Sequence, residues 1–407
     1  MKIILKFLLV LSTLIPLVTF SSQVFSRELI VWSRHSPSQN LVDAFNKKME
    51  AEGKDLRAVN SVLGGDFVPK FTAALAAGER VDVAAIDLIY VPYYTSIGAL
   101  EDMTDFLKSK DYYENLNGPM MHLGSLDGKH YSAPNDLGIS GFAYNKNLLP
   151  NPPTTWAEMT TMCEEFASRG KFLLGWPTVS GGGMAYTHAP WGWAEGGAHS
   201  GWVNEDGSKA NLNDLTMQAA FDHFTNLQKI GCVPKNVAAW DWPDKQDAFL
   251  RGELAMIGTG NFIIGMMDDY PDIDWGFFAM FSSDGTRKSA FVGGDLIGIP
   301  VTTGDKEGAM EYIEFILSAE GQSVYTCQNG GLPIRSDLFD TDPCMTDNHR
   351  VFLNAGDTGH VPYTVVYNEL MEPWGVAIQE IYGGGDPASV LAKHNARMQE
   401  IIDEGPQ

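Results

Sequence analysis

RELIVWSRHSPSQNLVDAFNKKMEAEGKDLRAVNSVLGGDFVPKFTAALAAGERVDVAAID, residues 27–87, decides the class of fold. Leu29-Ile30-Val31-Trp32 is an apolar, β-branched run and reads as a strand. Ser38 to Glu52 has helical period, with Leu41, Val42, Phe45 and Met49 on one face. Leu56 to Leu63 is strand-like again. Phe67, Phe71, Ala74 and Leu75 then stripe a helix ending near Gly78, and Val81 to Ile86 is a buried strand. Strand, helix, strand, helix, strand implies an α/β fold with a parallel sheet and crossover helices. In such sheets the loops at the carboxyl ends of strands form the binding crevice, here Ser33 to Ser36, Gly64 to Asp66 and Asp87.

Further along, Pro152-Pro153-Thr154-Thr155-Trp156 marks a new start, with Thr155 as helix cap and Glu158 completing a capping box. Gly181 to Gly207, rich in Gly and holding Trp191, Trp193 and Trp202, reads as a loop region facing something flat. A helix from Asp214 to Ile230, a compact helix around Ala248 to Gly252, a strand over Leu254 to Ile257 and a βα unit from Phe291 to Ser318 follow. There is no internal repeat, low-complexity tract or flexible linker, so the units are joined by ordered chain.

Before this framework stands a short addressing segment. Lys2 and Lys6 precede an apolar run from Phe7 to Phe20, and Val24-Phe25-Ser26 offers a small-residue cleavage site before Arg27. This reads as a secretory signal peptide over residues 1–26, too short to span a bilayer comfortably. Its removal takes away two lysines and moves the formal charge from −23 to −25. No cysteine lies near the cleavage site to carry a lipid, so the mature chain is expected free in a periplasm. With 407 residues, 44% of them hydrophobic, it is long enough for two cores. Fifty-one acidic residues against 28 basic ones repel polyphosphates, and no basic stripe offsets this, so nucleic acid is not an expected partner.

Taken together, the motifs resemble family 1 of the extracellular solute-binding proteins, the maltose-binding-protein-like receptors of ABC importers. The matching segments are Val81-Asp82-Val83-Ala84 with Gly98 to Thr104, Asp127 to Pro134, Tyr144-Asn145-Lys146, Pro152 to Trp156, Phe249 to Met256, Gly293-Gly294-Asp295 with Ile299-Pro300, Phe315 to Gln322, and Gly331-Leu332-Pro333. Each is weak alone; in order over some 300 residues they are specific. The resemblance implies a two-lobe periplasmic-binding-protein fold with a ligand cleft between the lobes. Three interlobe crossovers are expected near Pro134–Gly141, Trp275–Met280 and Gln328–Leu332. Lobe one would comprise residues 27–136 and 278–330, and lobe two residues 137–277 and 331–407. The lobes would close on a small molecule, and the closed monomer would dock on the transmembrane permease subunits of an ABC importer. Four cysteines permit three pairings; Cys163 with Cys232 and Cys327 with Cys344 is the expected set, each pair taken to share a lobe.

A sugar presents flat C–H faces and a rim of hydroxyls, so its receptor needs aromatic rings and planar polar groups. The aromatic candidates are Trp32, Trp191, Trp193, Trp240, Trp374 and Phe262, the last in Gly260-Asn261-Phe262 where the family has Gly-x-Trp. The polar candidates are Ser33, His35 and Ser36 after the first strand, Asp66, Asp87, Asn135, Asp136, Asp241, Asn261, and Asp295 beside Gly294. Arg335, next to a crossover, is read as a hinge brace. Asp66 reads equally well as a helix cap. A mono- or oligosaccharide is the expected ligand. A polyamine is the alternative, since Asp and Trp also cage ammonium groups; a phosphorylated polyol is weaker, because these loops are read as lacking Arg and Lys. A secreted glycosidase is the remote alternative: no nucleophile elbow, metalloprotease, P-loop or dinucleotide signature occurs, and nine scattered histidines suggest no metal or cofactor.

Overall fold

The β-branched runs assemble into two sheets. The computed structural model describes residues 27–35, 37–179 and 181–406, the side chains of 181–185 excepted; the expected signal peptide and Ser36 lie outside the described residues. The first sheet has strand order Leu56–Val62, Arg27–Ser33, Val83–Asp87, Asp295–Gly298, Ser132–Pro134. Its first three strands are parallel, as the alternation of strands and helices requires, and Asp295–Gly298 runs antiparallel to its neighbours. Helix Ser38–Ala51 turns Leu41, Val42, Phe45 and Met49 onto this sheet, all at most 1% exposed. Burial of each such side chain contributes roughly 1.5–3 kcal/mol. Helix Phe67–Ala77 buries Phe67, Phe71 and Ala74 and stops at Gly78, whose φ of 65° only glycine adopts readily.

The second sheet has strand order Met280–Phe281, Lys288–Gly293, Gly138–Asn145, Leu254–Gly260, Phe172–Gly175, with Trp275–Phe278 also paired to 138–145. Thr155 caps helix Trp156–Ser168 by accepting from Glu158 N, while the Glu158 carboxylate accepts from Thr154 rather than closing the box on Thr155. The stretch expected to be a Gly-rich loop is instead a helix, Gly181–Gly196. Its tryptophans point inward: Trp191, fully buried, meets Phe142, Phe224 and Phe281 edge-on, at centroid distances of 5.7, 5.3 and 5.1 Å. Tertiary burial of these rings outweighs the poor helix propensity of glycine.

The sheets also relocate the chain's crossings. The first lies between Pro134 and Gly138, as expected. The second lies at Gly294, not near Trp275–Met280, because strands 275–278, 280–281 and 288–293 all remain with the second sheet. Gly294 has φ 132°, and a Cβ there would sit 2.4 Å from the Asp136 carbonyl oxygen, so both crossings pass in contact only because this residue lacks a side chain. The third crossing is drawn out. Leu332 bridges Leu137, Ile334 O accepts from Asn117 N, and Arg335 donates to Leu317 O. The chain is thus still held to the first sheet's elements beyond 331. Helix Asp347–Gly356 then packs on the second sheet.

Both expected disulfides are present. Cys163–Cys232 lies within the second unit and joins helix 156–168 to the turn after helix Leu215–Ile230. Cys327–Cys344 does not stay within one unit. Cys327 is on helix Ala319–Asn329, which packs on 38–51, whereas Cys344 leads into helix 347–356. Bridges stabilise chiefly by restricting the unfolded chain, more so for longer loops. With separations of 69 and 17 residues, C163A/C232A is expected to cost about 4 kcal/mol and C327A/C344A about 3 kcal/mol. Urea denaturation of the two variants measures the order; a reversed order would show that packing at the second bridge outweighs loop closure.

Candidate functional site

Between the sheets lies a cavity of about 750 Å³ whose floor is made by the carboxyl ends of the first sheet's strands. Asp87 and Asp295 end and begin adjacent antiparallel strands and stand directly opposite in register. Like charges in that position repel. The next strand over, 27–33, delivers Arg34 to the same place, and its guanidinium lies 2.6 Å from each carboxylate. A third carboxyl, Asp136 at the first crossing, accepts from Asp295 N at 2.9 Å.

One guanidinium therefore faces three carboxyls. Burial works against the charge on Arg34, yet Asp295 and Asp87 hold it above the ordinary arginine value. Burial, partly countered by Arg34, raises Asp87 above the usual carboxylate range. Asp136, with no cation of its own, is pushed up to about 7 by burial and by Asp295. Burial also pulls His35 below the ordinary histidine value, so at neutral pH it faces the cavity as uncharged imidazole.

The opposite wall is aromatic. Tyr186, Trp242 and Phe262 enclose one corner, with Trp242 to Phe262 at 5.5 Å and Tyr186 to Trp242 at 6.0 Å between ring centroids. Behind Trp242, the fully buried Lys245 holds its Nζ 4.5 Å from the indole centroid, and burial brings its ammonium down to about 7. Tyr367 and Met371, one turn apart on helix Tyr367–Tyr382, add a further wall. The hydroxyls of Tyr186 and Tyr367 are buried without a hydrogen-bond partner among the described residues, although both residues line the cavity. Buried orphan hydroxyls are rare and mark the places where a guest with matching polar groups gains most.

Of the expected site residues, His35, Asp87, Asp136, Asn261, Phe262 and Gly294 line the cavity, with Asp295 directly behind Arg34. Asn261 is already committed: it accepts from Ile139 N at 2.7 Å and donates to Leu137 O at 2.9 Å, bracing the first crossing. Asn135 is buried, its backbone tied to Asp295 O. The others lie elsewhere. Trp32 packs edge-on against Phe71 of helix Phe67–Ala77. Ser33 is buried and bonded to Asn60. Asp66 is exposed and paired with Lys70 at 3.1 Å. Asp241 caps helix Trp242–Leu250, and Trp240 packs over Gly175. Trp191 is in the core, Trp193 stacks on the cavity-lining Phe291 without lining the cavity itself, and Trp374 is buried against Trp202 at 4.3 Å. These indoles fill the interior of the second lobe, and the neighbouring Trp242 and the tyrosines take the cavity positions. Arg34 was a visible omission, one residue from His35 in a strand-end loop read as lacking cations. Arg335, read as a hinge brace, pairs its guanidinium with Asp337 and lies 4.2 Å from the Tyr112 centroid.

Because Asp136 titrates near 7 when folded and near 4 when unfolded, the folded chain holds a proton that the unfolded chain has lost between those values. Its contribution to stability is full below about 4, falls as pH rises, and is gone above about 7. An asparagine at this position would keep the acceptor for Asp295 N without the charge. D136N is expected to match the native protein at pH 4 and to exceed it by roughly 1–3 kcal/mol at pH 8. Urea denaturation at the two pH values measures this, and an unchanged difference would show that the carboxyl is ionised and already compensated.

Comparison with known proteins agrees with this architecture. A putative binding protein of Brucella abortus is 21% identical over 372 residues, covering 88% of each chain. An ABC transporter solute-binding protein of Thermotoga lettingae, solved with α-D-tagatose, superposes with a TM-score of 0.81 at 19% identity, over 93% of this chain and 100% of that one. The cyclic α-maltosyl-1,6-maltose binding protein of Arthrobacter globiformis gives 0.78 at 20% identity, over 93% and 99%. The fold is thus the two-lobe one that the motif order implied. No helix among the described residues is long and apolar enough to cross a membrane. Residues 40–351 match the model of the bacterial extracellular solute-binding proteins, and the chain belongs to that family.

Proposed function

We propose that the protein is a periplasmic receptor that captures a mono- or oligosaccharide by closure of its two lobes and delivers it to the permease of an ABC importer. The observation that carries this reading is the pairing of a polar floor with an aromatic wall that holds two unpartnered tyrosine hydroxyls. A flat polyol fits both: ring faces lie on Trp242, Phe262 or Tyr186, while hydroxyls meet Asp87, Asp136, His35 and the hydroxyls of Tyr186 and Tyr367. The two solved structures described above, one bound with a ketohexose and one a binding protein for a cyclic maltosyl-maltose, support the ligand class. The basic, apolar leader and the family's extracellular role support export.

The polyamine alternative loses ground because Arg34 already pairs with Asp87 and Asp295, leaving only Asp136 for an ammonium group. A phosphorylated polyol loses ground for the same reason, since the guanidinium is engaged. The moving bodies are proposed as residues 27–134 with 295–330, and 138–293 with 347–406, hinged at the three crossings. Binding is stoichiometric and leaves the sugar intact.

Thermal-shift screening followed by calorimetry, with D-tagatose, hexoses, pentoses and maltosaccharides, is expected to find a ligand at micromolar strength or tighter, about −8 kcal/mol. For that ligand, W242A is expected to cost about 2–4 kcal/mol, and Y367F about 1 kcal/mol through the lost hydrogen bond. A panel without a binder, or a sugar returned chemically altered, overturns the reading.

A further inference from the structure

A second cavity, of about 600 Å³, lies on the second lobe at the far end of strand Lys288–Gly293 from the cleft. Its polar lining is rich in donors: Trp193, Thr286, Arg287, Lys288, Thr358 and His360. No carboxylate lines it, in a chain of formal charge −23. Trp193 is 3% exposed, and its indole N–H meets no acceptor among the described residues. The ring is fixed in place, stacked on Phe291 at 6.1 Å and edge-on to His360 at 5.8 Å. The orphan donor is therefore a feature of packed chain rather than of a loose surface side chain.

The neighbouring acids are occupied elsewhere. Asp284 accepts from Ser282 Oγ, Thr286 N and Thr286 Oγ1, which holds its turn together. Glu195 accepts from Ser283 N and reaches Arg287 only at 3.9 Å. Lys288, exposed, has no carboxylate within ion-pair distance among the described residues. A buried N–H without an acceptor costs about 1–3 kcal/mol, and two cations beside it with little compensation favour an acceptor that carries negative charge. We propose that this pocket binds a small oxyanion, the chemistry shared by carboxylate, sulfate and phosphate groups, through the Trp193 indole N–H together with Arg287 and Lys288. The site stands apart from the sugar cleft and does not depend on that reading.

The test uses the full mature chain labelled with ¹⁵N, in which each tryptophan gives one indole N–H resonance and W193F identifies that of Trp193. Sodium sulfate, phosphate and acetate are titrated against sodium chloride at matched ionic strength. The expected result is a saturable shift of the Trp193 signal with at least one oxyanion, and an affinity at least about tenfold weaker in R287A/K288A. Saturation by sulfate and phosphate alone assigns a tetrahedral guest; saturation by acetate assigns a carboxylate. K288E, a single exposed substitution, repeats the test with the charge reversed and is expected to abolish saturation. The other nine indole signals report whether each variant is folded. The proposal is overturned if chloride moves the Trp193 signal as far as the oxyanions do, or if R287A/K288A and K288E bind as tightly as the native chain.

Discussion

One guanidinium among three carboxyls sets the terms for the cleft. The antiparallel pairing of 83–87 with 295–298 brings Asp87 and Asp295 face to face, an arrangement that needs a cation at the end of the neighbouring strand. Arg34 supplies it at 2.6 Å from both. At such separations each attraction is worth about 6 kcal/mol at an effective dielectric of 20, against which stands the desolvation of every partner. The gain is thus mainly positional. The ends of three strands are held at one point, and the cation is spent on the protein rather than offered to a guest.

The cleft's two sides differ because its two sheets do. The first sheet ends in charged and polar side chains, whose mutual pairing leaves a floor of hydrogen-bonding groups with little free charge. The second contributes rings from helices 181–196 and 242–250 and from the turn after strand 254–260. The connections between them are braced rather than loose. Asn261 grips the chain at Leu137 and Ile139, Gly294 lets the second crossing touch Asp136, and Cys327–Cys344 ties helix 319–329 to the entrance of helix 347–356. These ties gather the connections between the lobes into closely spaced strands.

Much of this was legible in sequence where the signal is local. Helices 38–51 and 67–77 showed their buried stripes, and Asp87, Asp136, His35 and Phe262 were found from strand-end positions and motif order. What failed was inference from residue type. Tryptophan as a residue type suggests ligand rings, but Trp191 and Trp374 fill the second lobe's core, and the glycines around Trp191 disguise a helix whose stability comes from burial that no local pattern reports. Tyr367 was hidden for the same reason, since only the packing of helix 367–382 brings it to the cavity. Arg34 was within reach: a cation beside strand ends bearing Asp87 and Asp295 is the group that two facing carboxylates require.

The orphan hydroxyls bear on selectivity more than on strength. An apolar guest would fill the aromatic wall yet leave the hydroxyls of Tyr186 and Tyr367 buried and unmatched, each at about 1–3 kcal/mol. A cation would find Arg34 beside it, and a dianion would meet three carboxyls. A polyhydroxylated neutral guest, the class proposed above, avoids all three penalties. Under the proposed reading, Gln246, Asn368 and the Asp136 carboxyl, which is about half protonated near pH 7 and then able to donate as well as accept, are the cavity groups left to tell one sugar from another.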